Sequence, residues 1–535
     1  MSDFREKVGE VLKTSTIISQ PGDPEVFEVE SDISDEEITA DIERRRRERE
    51  ARLKEYTIDL GVPLPDPIVP PVHVSWDCSD EGNGDRLLAQ YGRDILYSVP
   101  EKSWYIWDGF RWKKDETLTI RALAKRVSRT IFLEASKAVF DDERSRLAKW
   151  AIQSSMQIRI KAMIESAAPL RAVTPDLFDT DPWLINCQNG TLDLRGDNLK
   201  EPNRNDRITK VMGVPFDRYA DCPLWLTHLK RVFAGNLKYI KGFQEFLGYC
   251  LLQHNPEQIM AILHGSGKNG KSVTMGTISR VMGDYSVIIP ADSLAVKRSD
   301  SPDTARSDLA ALKGARLAWA SEGEAGAVLA EGMIKQMTGD DKIRVRRQYE
   351  SGFEFTPGAK IVLVTNHEPR IKGTDNAIWR RIWLFPFTVT ISDADRDPGM
   401  LDKLTGEGAG ILNWLLDGLR RYLDAGKLSP PDEVIKATSR YRLDQDTLGQ
   451  FIRDEMTISE SGSIARSSFY SQYKIWCEAE GERPLSNKRV AEYLRERGFS
   501  EDKSAGVRLW KGLRIKTHKE RQEAEDAPDH QGVII

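Results

Sequence analysis

The sequence lacks the features of an exported or membrane-anchored protein. None of its apolar runs approaches the ~20 residues that a membrane-spanning helix requires, and the first residues, Met1–Glu6, are too polar for a signal peptide. Only five of the 535 residues are cysteine, and no two form a C-x-x-C pair, which argues against a zinc ribbon or a disulfide framework and fits a reducing compartment. We therefore expect a cytoplasmic protein that does not associate with a membrane.

A strong net charge is also missing. The formal net charge is −5, so no overall positive field draws the chain to nucleic acid, and any such binding has to come from local basic patches. Apolar residues, in contrast, make up 40% of the chain. This content suffices for the cores of about three domains at this length.

A glycine-rich loop carries the most specific chemical signal. It has the form G-x-x-x-x-G-K-S and lies between an apolar run, Ile259–Leu263, and a helical pattern, Val273–Met282. Its glycines allow backbone N–H groups to wrap the phosphates of a nucleotide, its lysine would neutralise the β- and γ-phosphates, and its serine would complete a Mg²⁺ shell. The alternative is a glycine-rich turn that binds nothing. The predicted nucleotide ligands are Gly265, Gly267, Asn269, Gly270, Lys271 and Ser272.

Two further apolar runs end in polar residues that suit the same site. Ala315–Ala320 is followed by Ser321-Glu322-Gly323-Glu324, and Ile361–Thr365 is followed by Asn366. An open α/β sheet gathers its ligand site at the carboxyl ends of its strands, where carboxylates can hold Mg²⁺ and activate a water molecule that an amide positions. The candidates for metal binding and catalysis are therefore Lys271, Ser272, Glu322, Glu324 and Asn366.

Basic residues follow at two places. The stretch Lys342–Arg347 alternates basic and apolar residues, which predicts an exposed cationic hairpin that could contact a phosphate backbone. Two arginines, Arg380 and Arg381, stand beside a predicted strand. They are either surface charges, or one of them reaches the γ-phosphate in a neighbouring subunit. The candidate DNA ligands of the hairpin are Lys342, Arg344, Arg346 and Arg347.

Two segments precede the motif-bearing region. Residues 1–75 combine an acidic stretch, the cluster Arg44–Arg47 among glutamates and a linker at Pro63–Pro71, which predicts a solvated tail rather than a DNA contact. Residues 76–220 have a mainly helical pattern with one aromatic hairpin, Trp104–Trp112. Its tryptophans could form a small core or stack nucleic-acid bases.

The C-terminal part has a second DNA-binding pattern. Two helical patterns, Phe469–Gly481 and Lys488–Gly498, precede a basic hairpin at Arg508–Arg514, which is typical of a winged helix-turn-helix. We predict a motor core over 221–437, a winged helix over 438–518 and a disordered tail over 519–535. The basic side chains either contact DNA or form a solvated face. The candidate DNA ligands are Lys488, Arg489, Arg495, Arg497, Arg508 and Lys511.

The order of these motifs resembles that in superfamily 3 helicases of the phage/plasmid and poxvirus primase-helicase family. The similarity rests on G-S-G-K-N-G-K-S, A-S-E-G-E, I-K-Q-M-T-G-D-D-K-I-R-V-R and L-V-T-N-H-E-P-R-I-K-G-T-D-N-A-I-W-R-R-I, supported by D-G-F-R-W and Q-N-G-T-L-D-L before them and Y-S-Q-Y-K-I-W-C-E-A-E-G after them. The resemblance implies a multi-domain α/β protein: an AAA+-like P-loop ATPase core, a preceding mainly helical domain and a C-terminal winged helix.

The resemblance also implies cofactors and residue roles. The cofactors would be ATP and Mg²⁺, with Lys271 on the phosphates and Ser272 on the metal. Either Glu322 or Glu324 would supply the acidic motif, Asn366 would be the sensor, and either Arg380 or Arg381 would be a finger acting on the next subunit of a homo-hexamer.

We therefore predict an ATP-driven, ring-forming DNA helicase for replication of a phage or mobile element, acting on single-stranded and origin duplex DNA in a host bacterial cytoplasm. The alternatives are an origin-binding initiator without processive unwinding, and a small-molecule kinase, which would leave the winged helix and the hairpin without a role. Longer family members carry a primase-polymerase module ahead of the helical domain, where this sequence has a charged tail. We therefore expect a separate primase or polymerase as a partner.

Overall fold

The computed structural model describes residues 76–296, 307–321, 326–346, 352–373, 376–504 and 506–525. Contacts group residues 64–535 into one compact unit. The predicted tail and linker over 1–75, together with Glu322, Glu324 and Arg347, lie outside the described residues. No helix in the described ranges has both the length and the apolar character needed to cross a lipid bilayer.

The N-terminal region combines a helical layer with two small sheets. Four strands pair in the order β3-β2-β1-β4, and three more form the antiparallel sheet β5-β6-β7. Its elements are α1 (Asp80–Tyr91), β1 (Ile95–Ser98), β2 (Ser103–Trp107), β3 (Trp112–Lys114), α2 (Thr119–Lys137), α3 (Asp141–Ser154), α4 (Gln157–Ala167), β4 (Ala172–Val173), β5 (Leu184–Cys187), β6 (Gly190–Asp193) and β7 (Asn198–Lys200).

The aromatic hairpin is formed by β2 and β3. Asp108 closes its turn, because its Oδ1 accepts hydrogen bonds from the N–H groups of Phe110 and Arg111 at 2.9 and 2.8 Å. Trp107 lies opposite Trp112, and their ring centroids are 5.7 Å apart. Both side chains are buried, with exposed fractions of 5% and 2%. These tryptophans therefore belong to a core, and they are not available to stack nucleic-acid bases.

In the region predicted as a motor core, called the motor region below, five parallel strands form the central sheet, in the order β14-β8-β13-β10-β9. The separate pair β11-β12 is antiparallel. The strands of this region are β8 (Met260–His264), β9 (Ser286–Ile288), β10 (Leu317–Ser321), β11 (Ile343–Val345), β12 (Phe353–Phe355), β13 (Lys360–Thr365) and β14 (Ile382–Pro386). The first four residues of β8 are fully buried, as expected for a central strand covered on both faces.

Helices cover both faces of this sheet. They are α5 (Pro223–Val232), α6 (Leu237–Tyr249), α7 (Lys271–Met282), α8 (Ser307–Ala310), α9 (Glu331–Thr338), α10 (Asn376–Trp379), α11 (Met400–Gly406), α12 (Gly408–Ala425) and α13 (Asp432–Gln445). Two hydrophobic clusters result: one contains Phe243, Leu263 and Leu415, and the other contains Ile262 and Tyr441.

Two buried cations fix the amino edge of the sheet. Lys360, at the start of β13, donates to the carbonyls of Leu252, His254 (2.8 Å) and Gly358 (3.1 Å), and burial lowers its pKa to about 7. Arg316, just before β10, donates to the carbonyl of Leu184 in the N-terminal region at 2.5 Å. Buried carbonyls are thereby satisfied, and the N-terminal region is attached to the edge opposite the glycine-rich loop.

Helix α13 belongs to the motor region. Tyr441 is fully buried in its core, and the hydroxyl of Thr438 accepts from the N–H of Leu384 in β14 at 2.9 Å. The predicted boundary between residues 437 and 438 therefore cuts a helix that packs on the central sheet. The packing places the end of the motor region at Gln445.

The C-terminal region contains the predicted pair of helices and the hairpin. The hairpin β16-β17 pairs with β15 in a three-stranded sheet. The elements are α14 (Thr447–Glu455), β15 (Met456–Ala465), α15 (Arg466–Ala479), α16 (Asn487–Glu496), β16 (Glu501–Ser504), β17 (Val507–Ile515) and α17 (His518–Glu525). Helix α17 covers residues 519–525 of the predicted disordered tail, where Glu520 binds Arg514 (2.8 Å) and the N–H of Thr517 (2.8 Å) and so anchors the helix start. Residues 526–535 of that tail lie outside the described residues.

Candidate nucleotide-binding site

The glycine-rich loop connects β8 to α7 in a conformation that few side chains allow. Gly267, Lys268 and Gly270 have positive φ angles of 101°, 48° and 82°, the left-handed region that glycine adopts without steric cost. A Cβ at Gly265 would lie 2.3 Å from both Asn269 Nδ2 and the carbonyl oxygen of Phe387, whereas a Cβ at Gly267 would meet no atom within 4 Å. The loop is therefore packed on one side and open on the other.

Lys271 is the first residue of α7, and its side chain turns back into the loop. Its Nζ donates to the carbonyl of Gly265 (2.6 Å), to Asn269 Oδ1 (3.0 Å) and to Asn366 Oδ1 (3.0 Å). The residue is only 4% exposed. No carboxylate among the described residues pairs with this ammonium, and burial lowers its pKa to about 8. Lys271 is thus a buried cation whose three partners here are uncharged oxygens.

The strand register brings the predicted sensor to the loop. Thr365, the last residue of β13, lies beside His264, the last residue of β8. Asn366 therefore begins the next turn directly beside the glycine-rich loop, where it reaches Lys271. Strand β10 ends at Ser321, in register with Val364, one position before the predicted Glu322 and three before the predicted Glu324.

One pair at this edge lies outside the predicted site residues. His264 Nδ1 lies 3.6 Å from Glu368 Oε1. Burial, and then the charge of Lys271, lowers the pKa of His264, while burial, and then Asp444, raises that of Glu368. Both shifts favour the uncharged forms. His264 directly precedes the glycine-rich loop and Glu368 lies inside the quoted motif around Asn366, and this position was the only available signal.

Helix α7 presents its amino end to the loop. Ser272 is exposed at its second position, and the hydroxyl of Thr274 donates to the carbonyl of Gly270 at 2.9 Å. Because that hydroxyl uses its proton there, it accepts from His228 Nε2, 2.9 Å away. Burial lowers the pKa of His228 to about 4, so the imidazole is neutral at pH 7 and fixes the first turn of α7 without adding charge.

The two arginines after α10 have different environments. Arg381 is 8% exposed and donates to the carbonyl of Ala377 (2.7 Å), to Gln258 Oε1 (2.9 Å) and to Thr338 Oγ1 (3.2 Å). Arg380 is exposed, and its Nη2 lies 3.4 Å from the same Gln258 oxygen. Arg381 is therefore engaged within its own subunit, whereas Arg380 faces outward.

The basic stretch forms the hairpin β11-β12, with Arg344 opposite Glu354. Ile343 and Val345 are buried, with exposed fractions of 6% and 3%. The cations between and beside them, Lys342, Arg344 and Arg346, are exposed. The alternation of the sequence thus becomes an apolar inner face and a basic outer face.

The candidate cations of the predicted recognition helix α16 and of the hairpin β16-β17 that follows it form more ion pairs than the sequence suggested. Four of the six candidate cations have a carboxylate partner, while Arg489 and Arg508 are exposed and form no ion pair with any described residue. The pairs are Lys488–Glu492 (3.9 Å), Arg495–Glu501, Arg497–Asp446 (2.8 Å) and Lys511–Asp502 (2.8 Å).

Two family models match parts of this chain. Residues 84–234, from α1 to just beyond α5, match "D5 N terminal like". Residues 263–381, which include the glycine-rich loop and Asn366, match a family of unknown function, DUF5906. The N-terminal region is therefore similar to a D5 N-terminal-like domain, and an α/β domain with a parallel sheet follows it.

Similar viral proteins carry helicase and primase names. "Putative helicase L207/L206" of Acanthamoeba polyphaga mimivirus is 25% identical over 77% of this chain and 47% of its own length. "Putative helicase 022R" of Frog virus 3 is 28% identical over 42% and 25%, and "Putative primase C962R" of African swine fever virus (strain Badajoz 1971 Vero-adapted) is 24% identical over 63% and 38%. The chain spans less than half the length of each of these relatives.

One similar solved structure is the C-terminal region of NrS-1. It aligns over 78% of this chain and 95% of its own length at 10% identity, with a TM-score of 0.44. That level of similarity does not bear on function.

Proposed function

We propose that this chain is an ATP-driven DNA helicase of the superfamily 3 type, in which a ring of subunits moves along a single strand during replication of a virus, phage or related mobile element. The observation that carries the proposal is the contact of Lys271 Nζ with Asn269 and Asn366. It joins the glycine-rich loop to the tip of the neighbouring strand around one buried cation. The names of the similar viral proteins agree with this activity.

The residues of the site fit a nucleotide triphosphate. A buried ammonium without a carboxylate partner among the described residues is stabilised by an anion, since burial otherwise disfavours its charge. The open side of the loop at Gly267 allows phosphates to approach the backbone. The exposed hydroxyl of Ser272 beside Lys271 suits a Mg²⁺ ligand.

ATP with Mg²⁺ would supply the β–γ phosphoanhydride bond whose hydrolysis drives movement. In this proposal Lys271 neutralises phosphate charge, Asn366 senses it and orients water, and Glu322 or Glu324 acts as the base and metal ligand. His228 and Thr274 keep the start of α7 in place. Positioning and charge stabilisation of this kind account for most phosphoryl-transfer catalysis.

We assign the trans-acting finger to Arg380 rather than Arg381. Arg381 would have to give up three hydrogen bonds within its own subunit to reach another, whereas Arg380 is exposed. Hydrolysis would then require two adjacent subunits, in keeping with a homo-hexameric ring.

The proposed DNA contacts lie on two surfaces. The outer face of hairpin β11-β12, with Lys342, Arg344 and Arg346, would follow a single-strand backbone. Arg489 and Arg508 of the winged helix would contact duplex DNA at an origin, since they are the candidates there without a partner among the described residues. Phosphate contacts of this kind are independent of sequence and sensitive to salt.

One single and one double variant test the proposal. Lys271→Ala should abolish ATP hydrolysis, because the developing phosphoryl charge loses its main protein cation. Arg344→Ala combined with Lys342→Ala should keep basal hydrolysis but lose stimulation by single-stranded DNA and strand displacement. Turnover of Lys271→Ala within a few-fold of wild type would refute nucleotide hydrolysis at this site. Normal DNA stimulation in the hairpin variant would show that these cations form a solvated face and do not contact DNA.

A further inference from the structure

Helix α2 has an unusual distribution of charge. Between Leu118 and Leu133 the sequence has four cations and no carboxylate. Three of the cations, Arg121, Lys125 and Arg129, are exposed and follow each other at intervals of four residues. They lie on one face of the helix, about 6 Å apart along its axis. None has an ion-pair partner among the described residues.

The three exposed cations, Arg121, Lys125 and Arg129, are called the basic stripe below. The opposite face of α2 is buried, and this fixes the stripe on the outer side of the helix. Leu123, Ala124, Val127 and Ile131 are fully buried in the N-terminal core, so the helix cannot rotate to hide its cations. Asp115 before α2 and Glu134 in its last turn are already engaged: Asp115 accepts from the first N–H groups of α2, and Glu134 binds Arg86 on α1. The stripe is therefore an outward-facing row of positive charge.

Stability does not account for this arrangement. Like charges four residues apart repel each other on a helix, and a cation in the first turn, such as Arg121, opposes the positive end of the helix dipole. Elsewhere among the described residues, several helical cations pair with a carboxylate three or four residues away. Those pairs are Arg144–Asp141, Lys161–Glu165, Arg420–Asp417, Arg440–Asp444 and Lys488–Glu492.

An aromatic side chain continues the same face. Phe132, three residues after Arg129, is 44% exposed. A row of cations that ends in an exposed aromatic ring matches the chemistry of a single nucleic-acid strand, whose phosphates are neutralised while an unpaired base stacks. A duplex keeps its bases stacked internally and would leave the ring without a partner.

We propose that Arg121, Lys125, Arg129 and Phe132 form a binding surface for single-stranded DNA on the N-terminal region, separate from the hairpin β11-β12 and the C-terminal helices. The site extends the proposed helicase function, because it gives a strand a second point of attachment. It requires no ATP hydrolysis, so the two proposals can fail independently.

The test measures binding of the full chain to a fluorescent oligothymidine, without nucleotide, over a range of salt concentrations. The triple variant Arg121→Gln/Lys125→Gln/Arg129→Gln should bind more weakly, and its slope of log affinity against log salt should be shallower by about 2, as three lost phosphate contacts imply for a single strand. Phe132→Ala should weaken binding about tenfold with the slope unchanged, because stacking releases no counterions.

A charge-matched control is available on α5 and α6. Lys230, Lys238 and Lys241 are exposed and have no ion pair with any described residue, so Lys230→Gln/Lys238→Gln/Lys241→Gln removes the same charge elsewhere. The proposal is overturned if this control changes the slope equally, or if the stripe variant keeps its slope. An equal loss on a duplex of the same length would refute the single-strand assignment. Basal ATPase, measured in parallel, should be unchanged in the stripe variant, whose melting temperature should not fall.

Discussion

The hydroxyl of Tyr493 on helix α16 donates to Asp446 Oδ2 at 2.7 Å, and Arg497 donates to the same oxygen at 2.8 Å. Asp446 directly follows the last helix of the motor region and is 6% exposed. Its other oxygen accepts from the N–H of Gly449 at 2.9 Å. One buried carboxylate therefore joins the end of the motor region to the predicted recognition helix.

The same junction is connected to the nucleotide site. Beyond Asn366, the carbonyl of Pro369 accepts from the hydroxyl of Tyr441 on α13, and the N–H of Ile371 donates to Gln445 Oε1 at 3.1 Å. The segment 366–371 thus contacts Lys271 through its first residue, Asn366, and contacts α13, the helix that ends at the junction, through Pro369 and Ile371. Packed side chains and hydrogen bonds of this kind can carry energetic coupling between two sites.

The first prediction concerns Asp446. Asp446→Asn preserves shape but leaves Arg497 without its carboxylate, at a local cost of about 1–3 kcal/mol. We expect basal ATPase within about twofold of wild type and a reduced stimulation by DNA. Asp444→Asn is the matched control, because it makes the same chemical change two residues away at an exposed position. Equal DNA stimulation in the two variants would contradict the role of the junction.

The second prediction concerns the extent of the motor. A chain ending at Gln445 should hydrolyse ATP, whereas one ending at Ala437 should be strongly destabilised, since it loses the fully buried Tyr441 and leaves the N–H of Leu384 without Thr438. Loss of a buried aromatic side chain alone costs about 3–5 kcal/mol. Thermal melts and ATPase rates of the two truncations decide the point. Equal melting temperatures would show that α13 is dispensable.

The difference between residues 437 and 445 shows where sequence reasoning was limited. The glycine-rich loop, the strand before it and the polar residue after β13 are local patterns, and the structure places Lys271 beside Asn366 as the strand order requires. Helix α13 has no such local signal, because its membership of the motor depends on Tyr441 and Thr438 meeting a strand far away in the chain.

Long-range pairing also explains the other differences. The sequence around α16 predicts basic residues that are free to bind DNA. In the structure Glu501 pairs with Arg495, and Asp446 pairs with Arg497. The sequence offers no basis for choosing between the adjacent residues Arg380 and Arg381. In the structure Arg381 is buried and donates to Gln258 and Thr338, whereas Arg380 is exposed. Contacts of this kind are absent from any local window of sequence.

The third prediction tests the finger by mixing subunits. Arg380→Ala and Lys271→Ala should each be inactive alone and regain part of the ATPase when combined, because some interfaces would then pair an intact loop with an intact arginine. Lys427→Ala, at an exposed cation far along the chain, should be active without mixing. Absence of recovery in mixed rings verified by native mass spectrometry would exclude action in trans.

The fourth prediction concerns the recognition helix. Glu501 binds Arg466 (2.9 Å) and Arg495, so Glu501→Gln should release positive charge, increase duplex affinity severalfold and steepen its salt dependence. Glu460→Gln removes the same charge from an exposed position in β15 and should have a smaller effect. Gel-shift titrations at matched salt compare the two variants. Equal increases would mean that only net charge matters, and no increase would mean that these arginines do not face DNA.

The fifth prediction is a pH dependence of nucleotide binding. Burial lowers the pKa of Lys271 to about 8, so the free protein loses this proton as the pH rises through that value. A bound phosphate favours the charged form and raises the pKa, and binding above pH 8 must therefore include proton uptake. Affinity for ATP should be nearly constant below about pH 7 and fall by up to about tenfold per pH unit above pH 8.

Lys271→Arg supplies the control for this profile. A guanidinium stays charged throughout the range, so the variant should bind less tightly because its geometry differs, but its affinity should not fall between pH 8 and pH 9.5. Calorimetry in buffers of different ionisation enthalpy would measure the proton uptake directly, with about one proton per nucleotide expected in the wild type near pH 9 and none in the variant. Identical pH profiles in the two proteins would show that Lys271 does not titrate at this site, and that its charge is held by a partner other than the nucleotide.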